Sequence, residues 1–137
     1  MNKEEFLLDM LDYYTVDPEG RRCNSDGICF YSPKYAHKEG RSEGCAIGRH
    51  LPEDVAKYFD KLKGAGINSI FRDTRLLVKL PEWLSDLGMP FLNRCQQFHD
   101  TKLLWGEDIG LSSGGQNMLR DIISTFNLDK SKFEKYL

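Results

Sequence analysis

Apolar residues recur along this chain at three- and four-residue spacing, in short blocks that each end at glycine or proline. That pattern favours several short amphipathic helices over a long sheet, because a helix buries one stripe at a period of 3.6 residues. Phe6, Leu7, Met10, Leu11 and Tyr14 predict a helix over 4–14, with acids in its first turn. Pro52 is expected as the first helical residue of a second helix, with Val55, Tyr58, Phe59 and Leu62 as its inner face and Gly64 and Gly66 as its stop. Residues 67–80 are ambiguous between a turn of helix and a short strand. A short helix is expected over 81–87. The next starts at Pro90, with Phe91, Leu92, Cys95, Phe98, His99 and Leu103 inward, and ends at Gly106. Ser113-Gly114-Gly115-Gln116 reads as a capping box before the cleanest stripe, Met118, Leu119, Ile122, Ile123 and Phe126. Asp129 would cap a last short helix carrying Phe133, Tyr136 and Leu137.

Two short apolar runs break the helical rhythm. Ile28-Cys29-Phe30-Tyr31 follows turn signals at 17–20 and 24–27, and Gly44-Cys45-Ala46-Ile47-Gly48 follows a polar loop over 32–43. Such runs predict strands, and pairing them gives an antiparallel hairpin with Cys29 near Cys45. The expectation is therefore an α+β fold: one domain over 1–137, with four to six helices packed on a small hairpin. At 137 residues the chain is long enough for one core.

Charge narrows the possible partners. The net charge is −2, which makes no global case for nucleic acid or a membrane surface. It is unevenly spread, however. Residues 21–50 hold Arg21, Arg22, Lys34, Lys38, Arg41 and Arg49 with His37 and His50, against three acids. This block is either a solvated loop or a patch for an anionic group. Arg41, Arg49 and His50, with Tyr31 and Tyr35 for stacking, are the candidate ligand-binding residues. Met1-Asn2-Lys3-Glu4-Glu5 lacks the basic region of a signal peptide, and no run approaches the roughly 20 apolar residues of a membrane span. The expectation is thus a cytoplasmic protein whose four cysteines stay as thiols.

The residues that could carry chemistry are few. Cys45 lies between glycines just ahead of a helix, with Arg49 and His50 able to lower its pKa, and His99 could serve as base with Asp100 beside it. Asp100 follows His99 directly and projects about 100° away around the helix, a poor position from which to orient it. The bland counterparts are a small buried thiol and a hydrogen-bonded core histidine. Cys95 and His99 share a helix face at i, i+4, and Cys29 and Cys45 could complete a tetrahedral set. No local ligand pair supports that set, so no metal and no cofactor is expected.

The segments Ile28-Cys29-Phe30-Tyr31, Gly44-Cys45-Ala46-Ile47-Gly48-Arg49-His50-Leu51-Pro52-Glu53 and Leu92-Asn93-Arg94-Cys95-Gln96-Gln97-Phe98-His99-Asp100 resemble a group of short proteins encoded by bacteria, phages and prophages. In that group a Cys-x-Tyr run precedes a Cys-Ala-Val/Ile-Gly-x-x-Ile/Leu-Pro-Asp/Glu signature, and a later helix carries Leu-x-x-Leu-Gln-x-x-His-Asp. The likeness covers 28–53 and 92–100 and brings no activity with it. It implies that Cys29, Cys45, His99 and Asp100 matter, either in chemistry or in holding the hairpin to the helix. Two departures stand out. Cys95 occupies a position that is usually aliphatic, which speaks against a shared metal site. The stretches 32–43 and 64–87 are longer than in the group, which implies added surface for a partner.

Taken together, the sequence favours a non-enzymatic accessory protein of phage or mobile-element type. It would bind a host protein or a small anionic ligand through the 21–50 block. The alternative is a cysteine-dependent hydrolase or transferase using Cys45 and His99.

Overall fold

Helices carry this fold. The computed structural model describes residues 1–22, 24–25, 28–29, 31, 44–62, 66–107 and 109–137, with backbone alone at 20, 24–25 and 28–29. Among these are eight α-helices: α1 (Lys3–Tyr14), α2 (Pro18–Arg21), α3 (Glu53–Lys61), α4 (Ile67–Arg72), α5 (Thr74–Leu77), α6 (Glu82–Ser85), α7 (Met89–Asp100) and α8 (Ser113–Thr125). Three 3-10 segments, Gly48–His50, Lys102–Leu104 and Lys130–Tyr136, connect or complete them.

Local chemistry accounts for most boundaries. Asn2 and Glu5 close a reciprocal capping box on α1. Pro52 is the residue before α3, so the expected start falls one position early. The 67–80 stretch resolves into two short helices separated by Asp73, whose carboxylate caps α5. At α8 the cap is Ser112, which accepts from the Gly115 amide, and not Ser113 as the spacing suggested. Asp129 caps the final 3-10 segment as expected, and Phe133 from that segment is buried.

The expected hairpin of 28–31 with 44–48 does not form, and the α+β expectation is corrected to a helical fold. Gly44 has φ +98°, and the chain after it turns into the Gly48–His50 3-10 segment with Cys45, Ala46, Ile47 and Gly48 all buried. The run is apolar because it is a tight turn sunk in the core, not because it is a strand. Among the described residues the only ladder pairs Asn24 with Cys29 and Ser25 with Ile28. Two residues a side close a turn; they do not make a layer on which helices could pack.

The core joins α1 (Phe6, Leu7, Met10, Leu11, Tyr14), α7 (Phe91, Leu92, Cys95, Phe98, His99), α8 (Leu119, Ile122, Ile123), the 44–48 turn and Phe133. Edge-to-face aromatic contacts run through it: Phe6 on Phe91, Phe91 on Phe126, and Tyr14 on both His99 and Trp105. Two residues expected inside lie outside. Tyr58 is 40% exposed, and Leu103 is 83% exposed because α7 stops at Asp100. There Thr101 turns its hydroxyl back to the Gln97 carbonyl, and the chain tightens into Lys102–Leu104. Among the described residues no helix is long and apolar enough to cross a membrane.

Candidate functional site at the 44–50 turn

The turn holding Cys45 is built by close backbone packing. A Cβ added at Gly48 would sit 2.7 Å from both the carbonyl carbon and the Cα of Tyr31, and nearer still to its carbonyl oxygen. Gly44 meets the same carbonyl. The Tyr31 backbone therefore crosses directly over the turn, and its own amide donates to Asp60 of α3 at 2.7 Å. The glycines are required by this crossing and by the positive φ at Gly44, not by the approach of a substrate. Inside the turn, the Gly48 amide donates to Cys45 Sγ at 3.3 Å, and the Arg49 amide to the Cys45 carbonyl at 3.1 Å. Cys45 itself is 1% exposed.

Tyr14 ties this turn to the histidine helix. Its hydroxyl donates to the Gly44 carbonyl at 2.7 Å, while its ring meets the His99 ring edge-on with centroids 4.7 Å apart. The two sequence-distant stretches thus form one locus, as the sequence reading required, and a tyrosine mediates it. His99 is fully buried, and its Nδ1 lies 2.8 Å from Asp100 Oδ1. This corrects the expectation that Asp100 is badly placed. At the last residue of α7 its side chain is free to fold back onto the preceding ring, and Gln96 holds the same oxygen at 2.9 Å. Burial pushes the His99 pKa down, and the Asp100 hydrogen bond only partly opposes it, so the ring is neutral near pH 7.

Arg22 completes the locus. Its Nε donates to the His99 carbonyl at 2.8 Å and its Nη2 to the Asp100 carbonyl at 3.4 Å. It supplies donors and positive charge to the carbonyl end of α7, where the helix dipole favours both. Sequence reasoning grouped Arg22 with the solvated basic block; it is 8% exposed, and no local pattern distinguishes it from Arg21.

The candidate ligand residues are dispersed or committed elsewhere. Arg49 pairs with Asp9 at 2.8 Å and lies over the Tyr13 ring at 3.8 Å. His50 Nε2 lies 3.3 Å from the same carboxylate, between the rings of Phe6 and Trp83. The His50 hydrogen bond, with Arg49 beside it, holds the Asp9 carboxyl below its ordinary range against the upward push of burial. Tyr31 is buried against Phe59. Tyr35 and Arg41 fall outside the described residues.

Metal coordination finds no support in this geometry. Among the described residues no three His, Cys, Asp or Glu side chains gather around one point. Cys95 is fully buried, and burial raises its thiol pKa far above the ordinary value. The Cys29 side chain lies outside the described residues.

Compared with protein-family models, curated proteins and solved structures, the chain gives no match. The reading therefore rests on its own residues. The arrangement does one thing well: it locks α1, the 44–50 turn and α7 together around a neutral imidazole and a covered thiol.

Proposed function

We propose that this protein is a non-catalytic accessory module that acts by binding another protein in the cytoplasm. The motif resemblance suggests a mobile-element setting in which the partner is a host protein. The observation that carries the reading is the enclosure of the Cys45–His99 locus, at 1% and 0% exposure, behind Tyr14. A nucleophile must meet its substrate, and a reactive thiol is partly exposed in an electropositive setting. Engagement of Arg49 and His50 by Asp9 favours a protein partner over a small anion, because both cations already share a carboxylate.

Alkylation separates this reading from thiol catalysis. Iodoacetamide at pH 7, with peptide mapping, should leave Cys45 unmodified in the folded protein and modify it in denaturant. Rapid labelling of folded protein at Cys45 would overturn the non-catalytic reading. Titration with inorganic phosphate or nucleotides should release no heat; saturable binding would restore the anion reading.

A further inference from the structure

Leu103, Ile109 and Val16 are 83%, 71% and 54% exposed, and all three belong to one corner of the molecule. The Gly110 amide donates to the Thr15 carbonyl at 2.8 Å, which brings the neighbours Ile109 and Val16 to the same seam. The loop beyond α7 is firmly pinned. Trp105 Nε1 donates to the Phe98 carbonyl at 2.9 Å, and the Gly106 amide to the Gly110 carbonyl at 2.8 Å. The Ser112 amide reaches the Leu104 carbonyl at 3.1 Å, and the Ser112 hydroxyl donates to the Leu103 carbonyl. The aliphatic side chains are thus held out into water by an ordered backbone. Single exposed apolar residues are ordinary, but several presented by one pinned loop make a pre-organised contact surface that loses little freedom on binding.

We propose that this corner, Leu103 and Ile109 with Val16 beside them, inserts into an apolar cleft with a basic rim on a partner protein. The inference rests on the binding reading above and gives it a surface. The charge around the corner selects the occupant: Asp17, Glu19 and Glu107 flank it against Lys102. An isologous contact between two copies would set these acids against one another. An anionic lipid surface attracts basic segments, not this one. A cleft lined by Lys or Arg complements it.

The test uses the full chain as bait in bacterial lysate, followed by calorimetry with the captured protein after purification. The variants are the double substitution Leu103→Asp with Ile109→Asp and, as a control, Val78→Asp, which alters a residue 78% exposed at the end of α5. All should melt within about 2 °C of wild type, because surface changes of this kind seldom move stability by much. Wild type and Val78→Asp should bind the purified partner equally, whereas the double variant should bind at least about 30-fold more weakly, the loss typical of removing a central anchor. Equal binding by the double variant would overturn the assignment of this surface and leave the binding reading intact. Capture of no partner by folded wild type would overturn both. Sedimentation as a dimer, or pelleting with phosphatidylcholine vesicles, abolished by the double variant, would replace the partner protein by a second copy or by lipid.

Discussion

Replacing Gly48 by alanine tests whether the 44–50 turn is structural. The added Cβ would lie 2.7 Å from two backbone carbons of Tyr31 and closer to its oxygen. Carbon atoms pack at about 3.5–4.0 Å, so the two segments must separate by roughly an ångström. A side chain in the way could rotate aside; a backbone cannot. Tyr31 is also fixed from beyond by its hydrogen bond to Asp60, and the turn by Tyr14. Overpacking costs about 1–3 kcal/mol where neighbours can adjust, and this site belongs at the upper end. For a chain of this size, about 3 kcal/mol lowers Tm by roughly 10 °C. Thermal melts followed by circular dichroism, with urea midpoints as a second measure, read the effect. Gly114→Ala is the internal control. It lies in the first turn of α8, and its added Cβ would meet only ordinary contacts from 3.5 Å outward. Helix propensity then predicts an unchanged or slightly higher Tm, by up to about 1 kcal/mol. If Gly48→Ala melts within about 2 °C of wild type, the backbone crossing is not what these glycines serve, and the structural account of the motif fails.

Three further outcomes are expected. The folded His99 pKa lies below its unfolded value near 6.5, so the unfolded chain takes up the extra proton. This contribution to stability is complete above about pH 6.5 and falls on acidification by up to about 1.4 kcal/mol per pH unit until the folded pKa is reached; His99→Gln should flatten urea-midpoint profiles in that window. Trp105→Phe removes the donor to the Phe98 carbonyl at a 4% exposed position and should cost about 1–2 kcal/mol in urea unfolding. Phe133→Ala empties a fully buried site and should cost about 3–5 kcal/mol, with a matching drop in Tm.

Which features were legible in the sequence follows from the range of the forces involved. The α1 stripe, the α8 stripe and the Asp129 cap are local, and a 3.6-residue period or one carboxylate near an amide announces them. The 44–48 run misled because apolarity at every position is shared by a buried strand and by a turn inside a core, and only the distant Tyr31 backbone decides between them. Leu103 misled for a similar reason. Its spacing continues the α7 stripe, but the helix stops two residues earlier, where Thr101 and the Trp105 indole turn the chain away. The convergence of Cys45 and His99 could be anticipated from the motif pair. The part played by Tyr14 and Arg22 could not, because a buried-stripe tyrosine and a loop arginine carry no mark of the long-range hydrogen bonds they make. Asp100 shows the limit of helical-wheel geometry: the wheel fixes where a side chain starts, and at a helix end the side chain can still fold back.

The Lys130–Tyr136 segment lies along the first helix, where Lys132 pairs with Glu4 and Lys135 with Asp12, and Tyr136 also reaches Asp12. The Lys132–Glu4 contact spans 128 positions of the sequence. On the ribosome, the greasy side of α1 must therefore wait through nearly all of this chain's synthesis before its cover emerges. Folding of the whole unit is tied to translation of its last few codons, and messages cut short just before Phe133 would yield chains marked for proteolysis by that uncovered helix.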